Sequence, residues 1–247
     1  MKDRIYAIIV AGGTGSRMKS SVPKQYLDLR GKPVLQYSIE KFLENELIDA
    51  CIIVAHKMYH KDIEDMTRGI AGKNIYIVEN GTERIDSVKN GLDKALSLEE
   101  SYDNSENGGM AYVMIHDGAR PLISEKLISD SIENVKKYRA IVPAIAVKDT
   151  IKKINDSNEV LDTPERAYLR AAQTPQCFEL NLILDAFDKY NSDRVIFGIF
   201  NIVYYHHRQL KCQRIFKCAD IQSKLPLKLF EAVHQSISVY IKLSGGF

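Results

Sequence analysis

The run IYAIIVA (residues 5–11) is apolar at every position and stops at Gly12-Gly13. No polar residue alternates with the apolar ones, so the run predicts a strand buried on both faces, as at the centre of a parallel sheet. CIIVAH (51–56), NIYIV (74–78), AYVMIHD (111–117) and AIVPAIAV (140–147) repeat the pattern. Helical spacing falls between them. In ERIDSVKNGLDKAL, Ile85, Val88, Leu92 and Leu96 share one helix face, and Ser124 is a ready N-cap for EKLISDSIENVKKY. Such alternation predicts an α/β fold, a doubly wound, mostly parallel, Rossmann-like sheet with its ligands outside the carboxyl ends of the strands.

Two segments break the alternation. LEESYDNSENGGM (98–110) is polar and rich in Gly and Asn, and predicts an exposed loop before a core strand. KDTIKKINDSNEVLDTPERAYL (148–169) carries two short strand-like pieces around an Asn/Asp/Ser turn, the pattern of a protruding β-hairpin arm. An isolated hairpin is marginal in water, so Ile151, Ile154, Val160 and Leu161 call for a partner, and a symmetric homodimer supplies one. With no repeat and no long linker, residues 1–247 read as a single domain.

Composition narrows the partners. Hydrophobic residues are 45% and charged residues 27% of the 247, the balance of a globular protein with a sizeable core. A formal net charge of only +2 gives no global field for nucleic acid, so any anion site is local. No stretch approaches a membrane span, and MKDRIYAIIV lacks the apolar run of a signal peptide. Cys51, Cys177, Cys212 and Cys218 lack paired spacing, which suits a reducing cytoplasm.

The candidate chemistry starts where the first strand ends. AGGTGSRM is neither GxGxxG nor a Walker A loop, and the strand CIIVAH ends without the acidic residue of a dinucleotide site. What remains is a glycine turn, Ala11, Gly12, Gly13 and Gly15, whose backbone N–H groups can approach a polyphosphate. Gly-Gly alone would equally suit a tight strand-to-helix turn. Arg17 and Lys24, the latter following Pro23 and preceding Gln-Tyr, favour the phosphate. Asp117 ends an apolar strand at the ligand edge, where a turn or N-cap role competes with a functional one. His116 reads as a packed strand residue, and Ser87, on residue pattern alone, as a polar position on an exposed helix face.

VAGGTGSRM…PKQY resembles the signature of the sugar-phosphate cytidylyltransferases, most nearly those acting on 2-C-methyl-D-erythritol 4-phosphate. The resemblance recurs in family order at ENGTERIDSVKNGL (79–92), IHDGARPLI (115–123), VKDTIK (147–152) and PERAYLRAAQTPQCF (164–178). Five separated motifs are far more specific than any one. The resemblance implies a nucleotidyltransferase sheet that transfers CMP from CTP to a polyol phosphate and releases pyrophosphate, with Mg²⁺ on the triphosphate. It gives Arg17 and Lys24 the role of transition-state stabilisers, and assigns cytosine to Gly81, Thr82 and Ser87. Asp117 would touch metal or substrate hydroxyls, supported by Arg120. Thr150, Arg166 and Thr174 would bind the sugar phosphate, Arg166 reaching across a homodimer from the arm.

After Asp193 the chain departs from the family pattern. It reads RVIFGIFNIVYYHHRQLKCQRIFKCADIQSKLPLKLFEA, and the family's substrate-binding Lys falls on Gln222. His206, His207, Cys212 and Cys218 match no tetrahedral zinc spacing. Two other readings follow: the same chemistry on ribitol 5-phosphate, or a nucleotide-binding relative that no longer catalyses.

Overall fold

Ile5, Ala7 and Ile9 leave one face of the first strand while Tyr6 and Ile8 leave the other, and all five are buried, as the unbroken apolar run requires. The structure is a computed structural model that describes residues 2–13, 22–70, 73–102 and 109–188, and the backbone of 213–217. In sequence, β1 (Arg4–Val10) is followed by the short ladder β2 (Asp28–Leu29) and β3 (Lys32–Pro33), then α1 (Val34–Glu44), β4 (Ala50–Ala55) and α2 (His60–Thr67). Next come β5 (Asn74–Glu79), α3 (Arg84–Ser101), β6 (Ala111–Asp117), α4 (Glu125–Tyr138) and β7 (Ala140–Ala146). The arm strands β8 (Lys153–Ile154) and β9 (Val160–Asp162) precede β10 (Arg170–Ala172), β11 (Gln176–Glu179), α5 (Leu180–Asp188) and β12 (Gln213–Lys217).

Among the described residues, eight strands form one sheet in the order β10-β7-β11-β6-β1-β4-β5, with β12 also paired to β7. β1 runs parallel to β4 and β6, and β4 parallel to β5. β11 runs antiparallel and is wedged between β6 and β7. Helices α1, α2 and α4 cover one face through Leu35, Ile39, Phe42, Ile63 and Ile128. On the other face α3 and α5 contribute Val88, Leu92, Ala95 and Ile183. Each buried Val, Leu, Ile or Phe among these stabilises the fold by about 1.5–3 kcal/mol relative to its exposed state. A Cβ on Gly91 would come 2.6 Å from Cγ2 of Ile8, so only glycine lets α3 lie this close to β1.

All five strand runs and the Ser124 cap form as the pattern predicts: Ser124 Oγ accepts from the Leu127 N–H at 3.2 Å. α3 differs in two details. Its buried stripe continues through Ala95 and Leu98 rather than Leu96, and its helix runs to Ser101, so the expected loop at 98–110 begins later. The hairpin is present. Asn155 shapes its turn by accepting from the N–H groups of Ser157 and Glu159, and Asn158 takes the left-handed conformation (φ 62).

From β1 the chain moves to β4 on one side; from β6 it moves through α4 to β7 on the other. The carboxyl ends of β1 and β6 are therefore the switch point, where an open α/β sheet has its crevice.

Candidate active site

Four strand ends, those of β1, β4, β5 and β6, are drawn together at this edge by three backbone hydrogen bonds. Ala11 N–H donates to Val54 O (2.7 Å), Asn80 N–H to Ala55 O (3.1 Å) and Gly118 N–H to Val10 O (2.9 Å). A Cβ on Gly12 would fall 2.4 Å from the Cβ of Asn80, so the turn after β1 tolerates no side chain there. Gly13 is exposed and Gly12 half-buried, leaving this backbone accessible. Lys24 opens a 3-10 turn (Lys24–Tyr26) and is itself exposed. Its neighbour Gln25 is buried and donates from Nε2 to Ala11 O and to Gly13 O, each at 2.7 Å. The Tyr26 hydroxyl donates to the same Ala11 carbonyl (3.3 Å), and its ring stacks on Tyr59 with centroids 3.8 Å apart.

At the end of β6, both oxygens of Asp117 are engaged by arginines. Oδ1 accepts from Arg84 Nε and Nη2 (3.1 and 2.7 Å), and Oδ2 from Arg120 Nε (3.1 Å). Burial alone would raise the Asp117 pKa, but Arg84 first and Arg120 after it outweigh that and hold it below the usual carboxylate range. Arg120 is steadied by Gln173, whose Oε1 accepts from Nη1 at 2.7 Å.

Beneath this group His116 is buried, as the sequence predicts, and desolvation lowers its pKa to about 4. The ring is neutral. Nε2 lies 3.1 Å from the Arg120 carbonyl, which can only accept, so Nε2 carries the proton and Nδ1 is the acceptor. The Thr174 hydroxyl, 3.0 Å from Nδ1, therefore donates to it and accepts the Asp117 N–H at 3.4 Å. Thr174 is buried, with its hydroxyl proton committed to His116 and its oxygen holding the Asp117 N–H.

Ser87 is buried, not on an exposed helix face: its hydroxyl donates to Glu83 O (3.0 Å) and accepts from Gly81 N–H (3.1 Å). The reason is the tight turn entering α3, where a Cβ on Gly81 would meet Asp86 at 2.1 Å. Thr82 is exposed beside it. Gly81, Thr82, Asp117, Arg120 and Thr174 thus share the carboxyl edge with Ala11, Gly12 and Gly13. Thr150 and Arg166 lie in the exposed arm, where Arg166 Nη1 donates to Lys148 O at 2.6 Å. Gly15, Arg17, Gln222 and the four residues of the rejected zinc pattern lie outside the described residues.

The model of the 2-C-methyl-D-erythritol 4-phosphate cytidylyltransferase (IspD) family matches residues 5–196. The chain belongs to that family. A Clostridium botulinum cytidylyltransferase of that name is 40% identical over 193 residues, covering 77% of this chain and 80% of the relative. The Lachnospira eligens enzyme is 41% identical over 197 residues, with 78% and 80% covered. The crystal structure of 4-diphosphocytidyl-2C-methyl-D-erythritol synthase from Anaerococcus prevotii superposes with a TM-score of 0.75 at 26% identity, covering 96% of this chain and all of that one. The family match stops close to Asp193, where the motif pattern ceases.

Within this cytidylyltransferase chain, motif reading passes over Arg84, Gln173 and Gln25. Arg84 had a signal: a cation in the first turn of a helix opposes the helix dipole and needs a local partner, here Asp117. Gln173 and Gln25 act through side-chain amides on distant backbone or arginine groups, and no spacing rule marks them.

Proposed function

We infer that the crevice at the ends of β1 and β6 transfers CMP from CTP to 2-C-methyl-D-erythritol 4-phosphate. A phosphate oxygen of the acceptor forms a bond to the α-phosphorus, the bond from that phosphorus to the bridging oxygen breaks, and pyrophosphate leaves. Both reactants are anions, so the protein's contribution is positioning and charge stabilisation. The carrying observation is the accessible Gly12-Gly13 backbone held beside exposed Lys24.

The turn N–H groups, Lys24 and Arg17 take the triphosphate, and Gly81, Thr82 and Ser87 read cytosine once the Ser87–Gly81 bond is exchanged for the base. Asp117, oriented by Arg84 and Arg120, faces substrate hydroxyls, while Thr174 acts on it from behind. A Mg²⁺ fits as an ion held chiefly by triphosphate oxygens and water, since such ions need few protein ligands and both Asp117 oxygens already accept from guanidinium groups. When bound it neutralises triphosphate charge. Thr150 and Arg166 bind the sugar phosphate of a neighbouring copy through the arm, which exposes Val160 (58%), Leu161 (59%) and Tyr168 (82%) and so favours a homodimer.

The test is pyrophosphate release with CTP, Mg²⁺ and either methylerythritol phosphate or ribitol 5-phosphate. Turnover with the first is expected. Turnover with ribitol 5-phosphate alone would move the substrate to that branch, and CTP binding without turnover would leave a non-catalytic relative.

A further inference from the structure

The buried amide of Gln25 lies outside the five-motif assignments, yet it makes two of the shortest side-chain-to-backbone contacts of the site. Both N–H groups of Nε2 are used, one on Ala11 O and one on Gly13 O, at 2.7 Å each. Two carbonyls two residues apart are thereby turned toward one point inside the protein. Tyr26 adds a second donor to Ala11 O, saturating the two lone pairs of that carbonyl.

A trans peptide plane has its C=O and N–H on opposite sides, and the Ala11–Gly12 bond is trans. Pinning Ala11 O inward therefore aims the Gly12 N–H to the opposite face of the turn, away from Gln25. An anion-binding turn needs this arrangement: carbonyls hidden, N–H groups presented. The turn lacks side chains that would enforce it, because Gly12 and Gly13 are conformationally permissive. The enforcing group has to come from elsewhere in the chain. Gln25 is also chemically fitted to the task, since a carboxylate of the same shape would confront the two carbonyls with acceptors only.

We propose that Gln25 is the positioning residue of the anion loop, fixing the peptide planes of Ala11 and Gly13 so that the turn meets the CTP phosphates with its N–H groups. Its neighbour Lys24 is placed by the same contact: the 3-10 turn that buries Gln25 leaves Lys24 exposed. The Tyr26–Tyr59 stack braces that turn against the segment after β4. This inference rests on the cytidylyltransferase reading of the site.

The decisive variant is Gln25→Met, which keeps length and approximate volume and removes both donors. Steady-state pyrophosphate release is measured with CTP and methylerythritol phosphate varied separately, below the melting midpoint of each protein. A misdirected turn is expected to lower kcat/KM for CTP about a hundredfold, divided between a higher KM for CTP and a lower kcat. KM for methylerythritol phosphate should stay unchanged. A partly unfolded preparation would lower kcat and move neither KM, so the rise in KM for CTP separates positioning from packing. Gln25→Glu is expected to be worse than Gln25→Met. Should the Gln25 variants fail to fold, Tyr26→Phe decides: it removes one donor to Ala11 O and keeps the ring stack, and a rise of about two- to fivefold in KM for CTP is expected from losing one modest hydrogen bond. An unchanged KM for CTP in folded Gln25→Met, or in Tyr26→Phe where that variant must decide, would overturn the proposal while the wild-type enzyme remained active. A wild-type chain that neither binds nor turns over CTP would instead overturn the cytidylyltransferase reading, and this inference with it.

Discussion

Lys24 and Gln25 are adjacent in sequence and opposite in environment, one in solvent and one buried, and the division assigns their work. An exposed ammonium beside a glycine turn contributes little to folding but a good deal to a developing phosphate charge. Lys24→Ala is therefore expected to lower kcat about a hundredfold, on the order of 3 kcal/mol, with a nearly unchanged melting midpoint. Arg17→Lys should show a milder loss, because it keeps charge and loses the fork. Near-normal turnover in both variants would remove the phosphate role from this loop. Asp117 illustrates a different residue-level lesson. Its place at a strand end was legible from AYVMIHD, and so was Arg120, three residues on in the same turn, but Arg84 enters from the start of α3 and only folding brings it to Asp117.

At the scale of elements, strands with unbroken apolar runs were readable because burial on both faces leaves no room for polar residues. NIYIV is the instructive case, for its strand β5 lies at the sheet edge and is only half-buried, yet its β-branched residues still marked it. β10 and β11 escaped because they are three and four residues long with Pro175 just before the second, too short for any period to register. Ser87 misled for a related reason: helix spacing placed it off the apolar stripe, but a tight preceding turn folds over it. The arm was legible as a hairpin from Asn155–Asn158, and its purpose turns on the dimer. Mixing Arg166→Ala with Lys24→Ala subunits tests that purpose. If Arg166 serves the neighbour's site, each heterodimer regains one intact site, and random exchange should restore about a quarter of wild-type activity. No recovery after demonstrated subunit exchange would confine Arg166 to its own arm.

For the molecule as a whole, the buried His116 links the site to stability against acid. Its pKa is depressed to about 4, whereas the unfolded chain titrates near 6.5. Between those values the unfolded state binds the extra proton, so stability is full above about pH 6.5 and falls as pH drops toward 4. The loss should total about 3 kcal/mol, and Asp117, whose pKa is also lowered, adds its own loss only below the ordinary carboxylate range. Urea unfolding at pH 7 and pH 4.5 should show this slope in the wild-type chain and a flatter one in His116→Gln; equal slopes would mean that the ring protonates without unfolding. The antiparallel wedge in the sheet carries a consequence of another kind. A ribosome delivers β6 and β7 well before β11, the strand that bonds one to the other. Throughout synthesis of the arm, one edge of β6 has no native neighbour, and an apolar strand with open N–H and C=O groups recruits whatever strand it meets. The nascent chain therefore passes through an interval of vulnerability to aggregation that ends only when Gln176–Glu179 has cleared the exit tunnel.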